Sequence, residues 1–249
     1  MRPSYCFIFL LVLLNGLSYG LQAQADSTIV EIPKTSKSKV YTLGAAGIIT
    51  GASFFFDERL ERELRDASFN RSRFVRFGDY TRATFMLGIP VVTWVAGKGF
   101  NDEPLVQTSY RAGAAALSAF MLTAALKYSV GRLRPQTEIN SRDFRGFHRD
   151  DYTSFVSGHS SVAFSLATVF AQSYGHRAAL PPLFYATATG ISLSRVAAGE
   201  HWLSDVTAGA ALGMAVGLWL NKRLQNEGVQ MTLNHTPAGG AGMGLLYTF

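Results

Sequence analysis

Six stretches of mostly apolar residues, each bounded by polar or charged positions, dominate the chain after residue 39. Uncharged runs of this kind are typical of buried or membrane-spanning helices. They occupy residues 40–56, 83–97, 112–126, 157–173, 178–194 and 202–220. The pattern predicts an all-α domain over residues 40–224, arranged as a six-helix bundle.

The apolar pattern does not decide whether these helices cross a bilayer. A spanning helix needs about 20 apolar residues, with about 17 as the lower limit, and several of the stretches are at or below that limit. Small residues such as Gly209 and Gly213 permit close helix packing in lipid and equally in a soluble bundle. A membrane bundle and a soluble bundle therefore both remain open at this point.

The segment between the first two stretches, residues 57–82, is strongly charged and contains seven arginines among acidic residues. Glu58 and Arg62 are spaced four apart, as are Glu61 and Arg65, and such pairs share one face of a helix. The first half of the segment is therefore predicted to be a charged amphipathic helix. We favour a solvated face satisfied by its own ion pairs over a helix that lies on lipid headgroups.

The N-terminal 39 residues have the features of a targeting segment and a linker. A basic start, a short apolar core and the sequence Ala23-Gln24-Ala25 predict a secretory signal peptide, residues 1–25, cleaved after Ala25; an uncleaved anchor is the alternative. Residues 26–39 are polar and are predicted to be a linker. The only cysteine, Cys6, lies in the signal, so the mature chain would have neither disulfide nor thiolate chemistry.

The C-terminal tail, residues 225–249, is polar and then rich in glycine. Its final apolar and aromatic residues hint at a β-strand, as in outer-membrane barrels, but one strand cannot form a barrel, and we expect a mostly flexible tail.

The charge of the chain limits its partners. The formal net charge is +6, and the basic residues are spread along the sequence. Nucleic acid is therefore not expected as a partner. Acidic small molecules or anionic lipid surfaces agree better with this distribution.

Residues suited to chemistry are confined to three clusters at the edges of apolar stretches. The clusters are KYSVGRLRP at 127–135, SGH at 157–159 and SRVAAGEHWLSD at 194–205. In the second cluster, Ser157, Gly158 and His159 precede an apolar stretch, so their backbone N–H groups lie at a helix N-terminus. Such a terminus binds anions, and glycine lets the backbone approach a ligand.

The other two clusters add cations and a histidine–carboxylate pair. Lys127 and Arg134 suit phosphate oxygens as a point charge and a planar fork, although cations at a helix end also compensate the helix dipole or set topology. His201 and Asp205 are four apart and share a helix face. A carboxylate that holds one imidazole nitrogen leaves the other free to attack. Arg195 supplies a further cation.

Taken together, the clusters match the signature Lys-x6-Arg-Pro, Ser-Gly-His and Ser-Arg-x5-His-x3-Asp. The chain resembles the superfamily of type-2 phosphatidic acid phosphatases and vanadium-dependent haloperoxidases, and KYSVGRLRP with SGHSS is most similar to the lipid phosphate phosphatases. Many members have proline at the position of Val156. Its loss removes a rigid turn but no chemical group.

The resemblance implies six membrane helices with the active site at one end of the bundle. It also implies that Lys127, Arg134, Ser157, the Gly158 amide and Arg195 hold the phosphoryl oxygens. His201 would attack phosphorus, Asp205 would orient it, and His159 would protonate the leaving alcohol and then activate water. No metal or cofactor is implied, vanadate is expected to inhibit, and the pH profile of activity should be bell-shaped.

The leading hypothesis is a membrane-embedded phosphatase that acts on lipid phosphates or diphosphates. It would lie in the bacterial cell envelope, in the inner membrane with an extracytoplasmic site. A soluble, secreted acid phosphatase of the periplasm is the alternative, and a vanadium-dependent haloperoxidase is a third. The partners expected are a phosphorylated lipid and the membrane.

Overall fold

The computed structural model describes residues 46–66, 73–137, 140–147, 151–226, 230–235 and 241–246. The predicted signal peptide and linker, residues 1–39, lie outside the described residues. Most of the described residues in each of the six apolar stretches are helical, which confirms the all-α prediction for that region.

The described residues contain nine helices rather than six, because the charged segment forms two helices and the second apolar stretch is divided into two. The helices are α1 (46–53), α2 (Asp57–Asp66), α3 (Arg73–Tyr80), α4 (Ala83–Met86), α5 (Ile89–Gly99), α6 (Glu103–Val130), α7 (Gly158–Ser173), α8 (Leu180–Ala197) and α9 (Leu203–Asn226). The predicted bundle of six is therefore corrected. The amphipathic helix predicted in the first half of the charged segment is confirmed as α2, including the Glu58–Arg62 ion pair at 3.9 Å.

Helix α2 has the solvated face with i,i+4 ion pairs that its composition favoured, but its opposite face is buried. Asp57 is only 1% exposed and Glu61 only 5% exposed. Buried carboxylates require partners, and Asp57 finds them in Arg132 and Ser204, far along the chain. One face of α2 therefore packs into the molecule instead of facing water.

Helix α7 forms the centre of the bundle and packs against α6, α8 and α9. Every residue from Ser160 to Ala171 is buried. On the α9 side, Gly209, Gly213 and Gly217 face the backbone of α7. A Cβ atom would lie 2.6 Å from the Ser157 carbonyl oxygen at Gly209, and 2.2 Å from that of Ser161 at Gly213. The spacing of these glycines therefore allows α9 to approach α7 backbone to backbone.

Local signals fix where the helices begin and end. Asp102 caps α6 by accepting from the Leu105 N–H at 3.0 Å, and α6 ends at Gly131, which adopts the left-handed conformation with φ 55°. Left-handed caps of this kind are typical of glycine. The chain then runs through a loop to α7. The end of α6, the start of α7, the end of α8 and the start of α9 lie at the same end of the bundle.

Two helices of the described part are long and apolar enough to cross a bilayer, Glu103–Val130 and Leu203–Gln225. The core helices of soluble proteins can have the same length and composition. Large apolar side chains are nevertheless exposed on several helices. They include Val91, Val92 and Val95 on α5, Leu117 and Leu122 on α6, Leu183 on α8, and Trp219 on α9.

The tail differs from its expectation. Strand β1 (Gln230–His235) pairs antiparallel with β2 (Ala241–Leu246), with Gln230 opposite Leu246 and His235 opposite Ala241. The tail thus forms a two-stranded hairpin, and the β-strand at which its final residues hinted is present as β2.

Candidate active site

Lys127 and Arg134 meet at one residue of the loop that precedes α7. The Lys127 ammonium donates to the Thr153 carbonyl oxygen and, at 3.4 Å, to that of Ser154. The Arg134 Nε donates to the Thr153 hydroxyl oxygen at 3.1 Å. The two cations of the first cluster therefore lie side by side at the end of α6, as the sequence predicted.

Ser157 caps helix α7 and ties it to α9. Its hydroxyl oxygen accepts from the Ser160 N–H at 3.5 Å, and its own N–H donates to the Asp205 carbonyl oxygen at 3.0 Å. The side chain is fully buried. Gly158 begins the helix, but a Cβ there would meet only Thr123, at an ordinary 3.6 Å. Any need for glycine at this position would come from a ligand, since the protein itself leaves room for a side chain.

The two histidines of the second and third clusters converge. A ring nitrogen of His159, a ring nitrogen of His201 and a carboxylate oxygen of Glu200 all lie within 4.8 Å of one another. The Nε2 atom of His159 is buried and has no hydrogen-bond partner in the described part of the chain. Both rings also lie within electrostatic range of Lys127 and Arg134.

This trio offers three ligand atoms and could in principle hold a metal ion. Its surroundings are poorly suited to one, because Lys127 and Arg134 act on both rings and Arg195 lies 3.4 Å from Glu200. A surplus of positive charge favours an anion at this place.

Asp205 lies beside His201 but does not hydrogen-bond to it. The Oδ2 atom of Asp205 is 3.8 Å from Nδ1 of His201, which is beyond hydrogen-bond distance. The same oxygen accepts from the Ser154 hydroxyl and from the Trp202 N–H at 2.9 Å. The orienting role of Asp205 stays a prediction, because it requires the two side chains to come closer, and active-site hydrogen bonds are often long without substrate.

Burial sets the charge state of His201. The residue is 2% exposed, and this burial, with the positive charge of Lys127, lowers the pKa of its imidazole to about 3, although Asp205 opposes the shift. Burial disfavours the charged form of a histidine. The ring is therefore neutral at physiological pH, as a nucleophile must be.

Arg195 lies in the same region, held by protein groups on several sides. Its guanidinium is 2% exposed and donates to Asp79 at 3.1 Å and to the Val75 carbonyl oxygen at 3.1 Å. Glu200 is a second carboxylate neighbour, at 3.4 Å. Because Glu200 is also within 4.8 Å of both histidines, it connects Arg195 to them.

Sequence reasoning missed the residues that support the site. Arg132 was visible in the first cluster but received no role, and it is fully buried between Asp57 and Asp205. Asp79 and Glu200 were not singled out at all. Glu200 could have been noticed from its place next to His201, whereas nothing in the local sequence links Asp79 to Arg195.

Comparison with known proteins agrees with this arrangement. Residues 110–228, just under half of the chain, match the family model of the PAP2 superfamily. The matched region contains all three clusters. The resemblance inferred from the three motifs is thereby confirmed.

Individual relatives extend the comparison. A lipid A 1-phosphatase of Porphyromonas gingivalis is 39% identical over 104 residues, which is 41% of this chain but 20% of that protein. The chain thus spans about a fifth of the length of this curated relative.

Two solved structures were also compared. A transmembrane PAP2-type phosphatidylglycerolphosphate phosphatase of Bacillus subtilis superposes with a TM-score of 0.52 at 18% identity, over 75% of this chain and 97% of that one. This match shows a shared fold. LpxE of Aquifex aeolicus superposes with a TM-score of 0.47 at 22% identity, over 67% of this chain and 95% of that one.

Proposed function

We propose that the protein is a phosphatase that removes a phosphoryl group from a membrane lipid. The observation that carries this proposal is the convergence of His159 and His201, whose ring nitrogens lie within 4.8 Å of the Glu200 carboxylate. Three cations surround this group: Lys127, Arg134 and Arg195. Such a set can bind a phosphoryl anion and supplies both a nucleophile and a proton donor. The lipid phosphatase among its relatives supports the same reaction.

In the proposed mechanism, a ring nitrogen of His201 attacks phosphorus and the bond to the lipid oxygen breaks. Burial and the neighbouring cations lower the pKa of His159 to about 4, so in this proposal the bound phosphoryl anion favours a proton on its ring. His159 then gives that proton to the lipid oxygen, so that the lipid leaves as an alcohol. His159 then takes a proton from water, whose oxygen attacks phosphorus, and the bond to His201 breaks to release inorganic phosphate. Lys127, Arg134, Arg195 and the Gly158 N–H would stabilise the charge on the transferring group.

We propose that this reaction needs no metal or other cofactor, because side chains supply the positive charge that a metal would otherwise provide. Chelation with EDTA should therefore leave activity unchanged, whereas orthovanadate should inhibit by occupying the phosphoryl site. Halide oxidation by peroxide in the presence of vanadate, without phosphatase activity, would instead assign the chain to the haloperoxidases.

A lipid substrate is supported by an apolar groove that leads away from the site. A cavity of about 500 Å³ lies between α5, α6, α7 and α8, lined mainly by apolar side chains. Its walls continue the helix faces of the site: Ala163 is one turn from His159, and Ile191 is one turn from Arg195. The α7 wall extends from Ala163 to Tyr174, about 16 Å of helix. We propose that an acyl chain of the substrate lies in this groove.

The groove predicts a dependence on chain length. In a panel of phosphorylated lipids and short-chain phosphate esters, each methylene bound in the groove should increase kcat/KM by up to about fourfold. Thr187→Trp, at the exposed wall of the groove, should remove this dependence, whereas Thr189→Trp on the same helix, outside the groove, should not. His201→Ala reports the background. Equal rates on long and short substrates in the wild-type protein would contradict the lipid assignment.

We place the protein in the bacterial inner membrane, with the site on the extracytoplasmic face. The exposed apolar side chains on α5, α6, α8 and α9 support a lipid environment. The predicted mature chain lacks cysteine, so Arg145→Cys, exposed near the site, would be a unique label. An impermeant maleimide should modify it in intact spheroplasts. Labelling only after lysis would contradict the orientation.

The soluble alternative is retained because only two of the described helices have the length and apolarity of a span. Carbonate extraction of membranes separates the two cases, since a soluble periplasmic phosphatase would be released and an embedded one would stay in the pellet.

A further inference from the structure

Helix α3, from the arginine-rich segment, packs directly against Arg195 of the site. The Arg195 Nη2 donates to the carbonyl oxygen of Val75 at 3.1 Å, and Nη1 donates to a carboxylate oxygen of Asp79 at 3.1 Å. Both acceptors belong to α3. The second half of the charged segment, for which the sequence predicted no element, therefore supplies two of the contacts that hold the side chain of Arg195.

Gly78 makes this contact possible. A Cβ atom at this position would lie 2.1 Å from Nη2 of Arg195 and 2.0 Å from the hydroxyl oxygen of Ser194. Both distances are far below van der Waals contact, so a side chain at residue 78 must displace either Arg195 or the whole helix. Glycine at residue 78 therefore lets the backbone of α3 lie directly against the guanidinium of Arg195.

The contacts of Arg195 leave it able to bind a ligand. A guanidinium has five N–H donors in a planar fork, and three of its hydrogen bonds go to protein acceptors, namely Ser194, Asp79 and Val75. The side chain is 2% exposed, while that of Asp79 is 55% exposed. These bonds use all three guanidinium nitrogens, so one N–H on Nη1, with Glu200 3.4 Å away, and one N–H on Nη2 remain. A guanidinium held through each nitrogen has little rotamer freedom left to lose when a phosphoryl oxygen binds to these remaining donors.

We propose that α3 positions the guanidinium of Arg195 for phosphoryl binding, with Gly78 permitting the approach and Asp79 as the positioning residue. The proposal rests on the phosphatase function proposed above and adds a requirement to it. Asp79 acts through its hydrogen bond to Arg195 and not by touching the substrate. Its amide analogue should therefore be tolerated, since an amide oxygen accepts the same bond.

The test compares four variants by the Kd for orthovanadate and by kcat and KM for phosphate release. Gly78→Ala and Asp79→Ala should each weaken vanadate binding and lower kcat/KM by about tenfold or more. Asp79→Asn should stay within about twofold of wild type. Arg76→Ala, exposed on the same helix, is the matched control and should change neither quantity.

A double-mutant cycle distinguishes positioning from general damage to the fold. In an Arg195→Lys background, Gly78→Ala should cause no further loss, because the fork that α3 holds is already gone. If the double variant instead loses as much as the two single variants combined, in vanadate affinity and in kcat/KM, the proposal is wrong. It is also wrong if Asp79→Ala, like Arg76→Ala, changes neither quantity. Vanadate binding is measured without turnover, so it tests the positioning of Arg195 independently of activity. If no lipid phosphate is hydrolysed, that result refutes the proposed function but not the positioning.

Discussion

Arg132 donates from Nη1 to the carboxylate oxygen Oδ1 of Asp205 at 2.6 Å, and both side chains are completely buried. The second nitrogen of the same guanidinium binds Asp57 at 2.8 Å. Trp202 lies against the guanidinium, with the ring centroid 5.4 Å from the central carbon. The carboxylate beside His201 is therefore held by a cation that itself depends on helix α2.

The first prediction concerns this buried group of charges. Arg132→Met should lower the free energy of unfolding by about 3–5 kcal/mol, because it leaves the carboxylates of Asp57 and Asp205 buried without a cation. The change can be measured by chemical denaturation of the purified protein in detergent.

Arg145→Met is the control for that measurement. Arg145 pairs with Asp143 at the surface and is 57% exposed, so its loss should cost no more than about 1 kcal/mol. Equal effects of the two substitutions would show that the buried group contributes no more than a surface ion pair.

The second prediction concerns the pH dependence of stability. The pKa of His201 is lowered to about 3 by burial, whereas an unfolded histidine titrates near pH 6.5. Between these two values the unfolded state binds more protons, so the free energy of unfolding should fall as the pH decreases from about 6.5 towards 3. His201→Gln should reduce this slope, most clearly between pH 6.5 and 5, where few carboxylates titrate. An unchanged slope would mean that His201 titrates normally in the folded protein.

The third prediction tests the close approach of α9 to α7. Gly213→Ala would place a Cβ 2.2 Å from the Ser161 carbonyl oxygen, so it should destabilise the protein by about 1–3 kcal/mol. Gly190, within helix α8, has nothing within 4 Å of its Cβ position. Gly190→Ala should therefore be neutral or stabilise by up to about 1 kcal/mol. Thermal unfolding of both variants measures the difference in stability between them. Equal stabilities would show that α9 does not contact α7 at Gly213.

The sequence was informative where the structure depends on local spacing. Apolar runs predicted the helices, and the four-residue separation of His201 and Asp205 predicted that the two side chains would be neighbours. The predicted common helix face is wrong, because His201 precedes α9, which begins at Leu203. The cations Lys127 and Arg134 could be grouped because Lys127 lies in the last turn of a helix and Arg134 follows its end. In both pairs the two residues are close in sequence, so the local course of the chain sets the distance between them.

Contacts between distant parts of the chain could not be obtained in this way. The pairs Asp57–Arg132 and Asp79–Arg195 join residues far apart in sequence, and no periodicity relates their positions. The prediction for the charged segment therefore considered only ion pairs within the segment. In the structure, two of its carboxylates, those of Asp57 and Asp79, bind Arg132 and Arg195 instead. The hairpin of the tail was missed because glycine-rich sequence disfavours strands, and pairing outweighed that preference.

The proposed phosphoryl transfer to His201 can be tested directly by trapping. Protein incubated briefly with a lipid phosphate labelled with ³²P should be quenched in alkali, because phosphohistidine is labile in acid, and digested. The account predicts label on the peptide that contains His201 in the wild-type protein and none in His201→Ala. Label on a different residue, or phosphate release by His201→Ala at the wild-type rate, would contradict it.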